Sequence, residues 1–402
     1  MKFLIDKYVK GQGKKLYTCF VDLRKAYDTV PRNKLFYMLL HEYKIGGNFL
    51  KILCEMYTCS RVFIKLSDGL LKPIESTIGL RQGCIFSPIL FNFYCNKISD
   101  IFYDTCSPVK VNNKKLNCLL WADDLFLVSE TPSGLQNCLN KMSTFYEPLG
   151  LQINIKKTKI MIFNKSGKCI PDEHIFIFNG KKVEITDQYQ YLGVKLRPSG
   201  SMDSAVQELN DKATRAWYGI SNIIYRHKRM EINKALNLFD SLISPVCLYA
   251  TEFWLPYILP KKCFKNRENL LHFWENFQCE TINQRICRMV LAVHNKTSCI
   301  AVLSELGRYP MFVKSLSLCL NYKLSLYKKP ETNLVRAALT EMEEMSSANI
   351  DCWLTRVHCV EKLLKLPHMT HSKSSSHSSV PSMNKTNCPP LYVPCHQQHQ
   401  NQ

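Results

Sequence analysis

Residues 116–129 read LNCLLWADDLFLVS, and this stretch decides the fold. Two apolar runs, each of strand length, flank the adjacent acids Asp123 and Asp124. The pattern predicts a β-hairpin with both carboxylates at its tip. A second stretch, YTCFVDLRKAYDTV at 17–30, predicts a strand over Tyr17 to Val21 that ends in Asp22 and passes into a helical pattern. Adjacent acids at the end of apolar strands repel each other, and a divalent cation relieves the repulsion. Oxygen ligands that leave room for water and substrate phosphate suit Mg²⁺. A polar turn with no bound ion is the alternative reading of the Asp-Asp pair alone.

Working outward, Arg61 to Leu66 and Leu70 to Ile78 predict a hairpin turned at Ser67-Asp68-Gly69. Ser87-Pro88 predicts a helix start, continued by Ile89, Leu90, Phe93 and Ile98. Ser133 is the expected cap of a helix with Leu135, Leu139, Met142 and Phe145 on its buried stripe, stopped at Gly150. Ile153 to Phe163 reads as a strand region, and Phe176 to Ile185 as a hairpin turned by Asn179-Gly180. Helical patterns dominate from about 203 to 365, with Trp217, Trp254 and Trp274 expected in the core. The Ser-, His-, Pro- and Gln-rich segment 366–402 is expected to be disordered. Its Cys388, Cys395, His396 and His399 fit no common zinc spacing.

The formal net charge of +20 on 402 residues, 46% of them hydrophobic, indicates a folded chain with a polyanionic partner. No apolar run approaches the roughly 20 residues of a spanning helix, so nucleic acid is preferred to a membrane. Asp6, Lys7, Lys10, Lys14 and Lys15 interrupt the N-terminal stretch, so there is no signal peptide and a cytoplasmic or nuclear location is expected. The 19 cysteines contain no Cys-x-x-Cys pair and read as free thiols of a reducing compartment.

Five strings, in order, resemble the motifs of reverse transcriptases of non-LTR (LINE-type) retrotransposons. FVDLRKAYDTV resembles motif A and GLRQGCIFSPILFNFYCNKI at 79–98 motif B. LLWADDLFLVS resembles motif C, LGLQINIKKTKIMIF at 149–163 motif D, and YQYLGVKL at 189–196 motif E. The run at 285–310 resembles the segment downstream of the polymerase in these elements.

The resemblance implies an α+β right-hand polymerase palm over 1–200, an antiparallel sheet with helices behind it. A mostly helical thumb-like region follows over 201–365. It implies RNA-directed DNA polymerisation, with Asp22, Asp123 and Asp124 holding two Mg²⁺ ions and the Leu23 carbonyl as a further ligand. Tyr27 would exclude ribonucleotides; Gln82 and Gly83, with Gly79 and Arg81, would lie beneath the nascent base pair. Lys156, Lys157 and Lys159 would serve the pyrophosphate, or equally touch backbone phosphates, and Tyr191, Leu192 and Gly193 would grip the primer. The implied partners are an RNA template, a DNA primer and deoxynucleoside triphosphates. Only 21 residues precede Asp22, so most of the fingers motifs are expected to be lacking; a nucleic-acid-binding relic without catalysis is the alternative.

Overall fold

The computed structural model describes residues 1–366 except 59, 103–106, 171–173 and 227–229. Apart from Leu366, the segment 366–402 expected to be disordered lies outside the described residues. The chain divides into two compact units: Tyr8–Tyr189 with Arg197–Ser199, and Met1–Lys7 with Gln190–Leu196 and the chain from Gly200 onward. The first seven residues and the 190–196 segment thus go with the helices.

A short helix α1 (Lys2–Leu4) runs into a π-helical stretch, Ile5–Gly11, that leads into the first unit. That unit is built on β1 (Leu16–Val21), whose six residues are all buried. Helices α2 (Arg32–His41) and α3 (Gly47–Thr58) follow. Four two-residue strands come next: β2 (Arg61–Val62), β3 (Lys65–Leu66), β4 (Gly69–Leu70) and β5 (Ile74–Glu75). β2 pairs with β5 and β3 with β4, as the predicted hairpin requires. Helices α4 (Phe86–Cys95) and α5 (Ile98–Ile101) lead to the hairpin β6 (Val109–Val111) and β7 (Lys114–Leu116). Then come β8 (Cys118–Trp121), β9 (Asp124–Ser129), α6 (Pro132–Tyr146), β10 (Lys159–Phe163), β11 (Phe176–Phe178) and β12 (Lys181–Ile185).

The sheet order is β11-β12-β10-β1-β9-β8, antiparallel except for the β10–β12 pair. Alternation along β1 sends Tyr17, Cys19 and Val21 into a core shared with Leu90, Phe91 and Tyr94 of α4 and Leu135, Leu139 and Met142 of α6. Phe20 points the other way, where its ring lies 5.3 Å from Phe126 and stacks on Tyr189 at 4.3 Å. Burying a ring such as Phe91, which is inaccessible to solvent, contributes roughly 2–3 kcal/mol.

Four local expectations are corrected. Residues 24–29 are turns rather than helix, because Lys25 is left-handed and Pro31 keeps Val30 out of the helical region; the helix starts at Arg32. The cap of α6 is Thr131, whose hydroxyl accepts from the Gly134 N–H at 3.1 Å, with Pro132 and not Ser133 in the first helical position. The Ser87 hydroxyl caps nothing; it donates to the Arg81 carbonyl at 2.6 Å from inside the first turn of α4. The strand expected over 153–163 shrinks to Lys159–Phe163, with residues 155–157 in a turn. The Asn179-Gly180 turn forms as expected, both residues having positive φ.

The second unit contains the hairpin β13 (Tyr189–Tyr191) and β14 (Val194–Leu196), β13 starting at the edge of the first unit. It continues with α7 (Asp203–Arg226), α8 (Ile232–Leu242), α9 (Ser244–Cys247), α10 (Thr251–Ile258) and α11 (Arg267–Glu275). Helices α12 (Gln278–Val290), α13 (Cys299–Glu305), α14 (Met311–Tyr327), α15 (Leu334–Ser347) and α16 (Trp353–Leu364) complete it. Trp217, Trp254 and Trp274 are buried in its core, as expected. Among the described residues every cysteine is a free thiol, and no helix is long and apolar enough to cross a membrane.

Candidate active site

The pairing of β1 with β9 ends at Val21 opposite Leu125. One step further places Asp22 opposite Asp124, on the sheet face that carries Phe20 and Phe126. β8 and β9 pair up to Trp121 opposite Asp124, so Ala122 and Asp123 make the connection, Ala122 with φ 53°. The hairpin tip predicted from sequence therefore forms, and Asp22 stands beside it.

The backbone of Asp22 is fixed on one side. Its N–H donates to the Thr158 hydroxyl at 3.2 Å, and its carbonyl accepts from the Asn154 N–H at 2.8 Å. Leu23 forms an isolated antiparallel bridge with Ile153, flanked by the Arg24 N–H to Gln152 carbonyl bond of 2.7 Å. Strand alternation then turns the Leu23 carbonyl away from Ile153, toward the β9 side of β1.

The electrostatics separate the three acids. Burial raises the Asp124 carboxyl above the ordinary range, and the charges of Asp123 and Asp22 raise it further. The Tyr189 hydroxyl is pushed up to about 12, by burial first and then by Asp124 and Asp22. Asp123 acts on a different set. It adds to the burial that lifts Tyr27, and to that which raises Cys95 to about 12. Asp22 and Asp124 thus share the Tyr189 side of the sheet, whereas the Asp123 charge reaches Tyr27, Cys95 and Tyr146 as well as Asp124. Among the described residues no group of three or more His, Cys, Asp or Glu side chains is gathered closely enough to hold a metal ion. Mg²⁺ commonly takes one or two carboxylates and fills the rest of its shell with water and phosphate oxygens. The hard oxygen donors and their mutual repulsion fit such an ion.

Asp124 gives a stability prediction. A carboxyl whose folded pKa is raised contributes stability below its unfolded pKa and loses it as pH rises through the folded value. Without divalent cation, Asp124→Asn is therefore expected to raise thermal stability at pH 7, by no more than about 0.5 kcal/mol because water screens this half-buried group. The increment should vanish as pH falls below the unfolded carboxyl range. Melting curves in EDTA across pH check this; equal stability of the two proteins at pH 7 would refute it.

Tyr27 stacks on Phe91, ring centroids 4.7 Å apart, and its carbonyl accepts from the Leu80 N–H at 2.8 Å. The 79–83 loop is thereby tied to the segment after Asp22. Gly79 has φ 86°, and a Cβ there would lie 2.6 Å from the Asp28 carbonyl oxygen, so only glycine fits. Gln82 is exposed, and its amide donates to Asp28 Oδ1 at 3.0 Å; Gly83 has φ 82°. Lys156 and Lys157 are exposed in the turn hung from the Asp22 carbonyl through Asn154. Lys159 instead begins β10 and is ion-paired with Glu184.

Tyr191, Leu192 and Gly193 belong to the helical unit. Leu192 and Gly193 both have positive φ and turn β13 into β14. The Tyr249 hydroxyl donates to the Leu192 carbonyl at 2.8 Å, and a Cβ on Gly193 would meet the Tyr249 ring at 3.0 Å.

Two residues escape sequence reasoning. Arg32 is buried, and its guanidinium donates to the carbonyls of Gly79 at 2.8 Å, Tyr57 at 3.0 Å and Ile78 at 3.2 Å. It also bonds the Ser76 carbonyl and, at 2.9 Å, the Ser76 hydroxyl. A lone arginine after a proline carries no signal of this. Tyr189 opens motif E, and its stacking on Phe20 becomes visible only once β1 is folded.

The reverse transcriptase (RNA-dependent DNA polymerase) family matches residues 2–196. The Pol polyprotein of the R2 retrotransposable element of Nasonia vitripennis is 27% identical over 212 residues, 51% of this chain and 20% of its own length. That of element R2DM of Drosophila melanogaster is 26% identical over 206 residues, 49% of this chain and 19% of its own. The chain thus spans about a fifth of the length of either relative. The apo telomerase of Candida tropicalis has a TM-score of 0.37 at 12% identity, over 84% of this chain and 54% of its own. The family match over residues 2–196 and the likeness to R2 elements together support a reverse transcriptase domain of the non-LTR retrotransposon kind.

Proposed function

We propose that this chain carries out RNA-directed DNA polymerisation, adding deoxynucleotides to a primer 3′-hydroxyl on an RNA template. The observation that supports it is the register that sets Asp22 opposite Asp124 beside the Ala122-Asp123 tip, where the charges of Asp22 and Asp123 add to the burial that raises Asp124. Asp22, Asp123 and Asp124, with the Leu23 carbonyl, would hold two Mg²⁺ ions. Bound Mg²⁺ supplies activation of the attacking hydroxyl and neutralisation of the leaving pyrophosphate.

The chain's own groups do the rest. Thr158 and Asn154 hold the Asp22 backbone so that its carboxylate needs little reorganisation. The 79–83 loop, anchored by Arg32 and Tyr27, presents Gln82 and Gly83 to the templating base pair. Lys156 and Lys157 offer positive charge beside Asp22. Lys159 is paired with Glu184 and is the weaker candidate for pyrophosphate. Tyr191, Leu192 and Gly193 serve the primer end by backbone approach. Tyr27, packed flat on Phe91, presents its edge to the sugar. Tyr27→Ala is expected to admit ribonucleotides, reducing discrimination by ~10–100-fold. Competitive incorporation of dTTP against UTP measures this, and unchanged discrimination removes Tyr27 from the role.

The function is tested by primer extension on poly-A RNA with Mg²⁺ and dTTP, beside an Asp123→Ala, Asp124→Ala control. Extension that the control lacks is expected. No extension by either protein, with salt-sensitive binding of the hybrid, would leave a nucleic-acid-binding module in place of the polymerase.

A further inference from the structure

The β6–β7 hairpin places Lys110 directly opposite Lys115. Both are exposed, while Val109 and Val111 on the other face are buried. Like charges across a strand pair are destabilising by roughly 0.2–1 kcal/mol, so the hairpin forms against a local cost. It is held in place by Tyr8. The Lys110 N–H donates to the Tyr8 hydroxyl at 2.7 Å, and that hydroxyl reaches the Lys110 carbonyl at 3.4 Å. Tyr8 in turn brings its own neighbours. The Lys14 N–H donates to the Tyr8 carbonyl at 2.9 Å, and Lys10 and Lys14 are exposed on the same segment. The Glu130 carboxylate lies 3.5 Å from Lys14.

The position in the sheet is defined. β7 leads at once into β8, and the Val128 N–H donates to the Asn117 carbonyl at 2.8 Å where they join. That junction lies at the Leu16 and Ser129 end of β1 and β9. The aspartates lie at the other end, roughly 20 Å away at ~3.3 Å per residue.

We propose that Lys10, Lys14, Lys110 and Lys115 form a second binding surface for the phosphate backbone of single-stranded RNA, at the end of the sheet opposite the aspartates. The choice of RNA as the strand rests on the polymerase reading, in which RNA is the template. The chemistry of the hairpin favours a polyanionic strand over a lipid surface. Its tip is Asn112-Asn113, which offers no apolar side chain to insert below the headgroups. A lysine ammonium is a point charge that pairs with phosphate oxygens and does not read base edges, so binding is independent of sequence and steep in salt.

The test uses the full chain with Lys10, Lys14, Lys110 and Lys115 changed together to Ala, and separately to Arg. Anisotropy of a labelled long single-stranded RNA is followed against salt. The Ala variant is expected to bind at least ~10-fold more weakly, with the slope of log Kd on log[salt] reduced by roughly 3, about 0.7 for each phosphate no longer neutralised. The Arg variant should bind as the parent does. K115E, which puts opposite charges across the strand pair, should melt no lower than the parent and still lose affinity. A merely structural role for these lysines predicts affinity that follows melting temperature instead.

Unchanged affinity and slope in the Ala variant would overturn the proposal. So would parent-like RNA binding by that variant together with loss of binding to phosphatidylserine vesicles. The Asp123→Ala, Asp124→Ala protein should keep its RNA affinity, so loss of polymerase activity is read separately from loss of this surface.

Discussion

Asp123→Asn should lower the rate of deoxynucleotide addition by at least ~10³-fold, the scale of losing preorganised charge at a phosphoryl-transfer centre. It should do so without loss of stability. Asp123 sits half-buried in the two-residue connection between β8 and β9, and its charge adds to the burial that raises Asp124. Burial first, and the Asp123 charge after it, push Cys95, a fully buried thiol, up to about 12 and raise the Tyr27 hydroxyl. Removing the charge leaves these neutral groups neutral and relieves Asp124. Single-turnover incorporation and thermal melting, done on the same samples, check the two halves. A variant that melts well below the parent would show that Asp123 holds the hairpin together. A variant with parental rate would remove it from the chemistry.

Arg32→Met should destabilise the first unit by about 3–5 kcal/mol, the range for a buried charged group whose hydrogen-bonded partners are left without it. The five N–H groups of this guanidinium are taken up by oxygens of Tyr57, Ser76, Ile78 and Gly79. Its plane also lies 5.0 Å from the Tyr57 ring. Methionine keeps the apolar stem and strands the carbonyls. The damage should be concentrated in the 76–83 loop, which carries Gly79, Gln82 and Gly83. Denaturant unfolding gives the free energy, and hydrogen exchange at Gly79 and Leu80, whose N–H groups donate to Val30 and Tyr27, gives the location. A loss below ~1 kcal/mol would mean that water replaces the guanidinium without penalty.

How much of this was legible in the sequence depends on the range of the interaction responsible. The β8–β9 tip and the Asn179-Gly180 turn are specified by residues next to one another, and both were readable. Asp22 could be placed at a strand end, but its register opposite Asp124 is a pairing across about 100 positions, 22 to 124, and no local pattern encodes it. Helix starts were misplaced by two residues, Ser133 being read as the cap that Thr131 provides and Ser87 as the start where Ile85 is the N-cap. Lys156, Lys157 and Lys159 looked alike in sequence and separated in the fold, two in a turn and one paired with Glu184. Arg32 was silent because its partners come from α3 and from the 76–79 loop, some 25 to 47 positions away. The Tyr191-Leu192-Gly193 string was legible only through its resemblance to motif E, and its place with the helices depends on Tyr249, which follows it by more than fifty residues.

The most direct test of the central claim is the Mg²⁺ dependence of single-nucleotide incorporation on an RNA template, by the parent chain and by Asp22→Asn. The parent rate should be abolished by chelation, rise with Mg²⁺ and saturate, while Asp22→Asn should require more Mg²⁺ and stay slow at every concentration. A parent rate indifferent to Mg²⁺, or an Asp22→Asn curve that overlays it, would contradict the assignment of these carboxylates as the site of the chemistry.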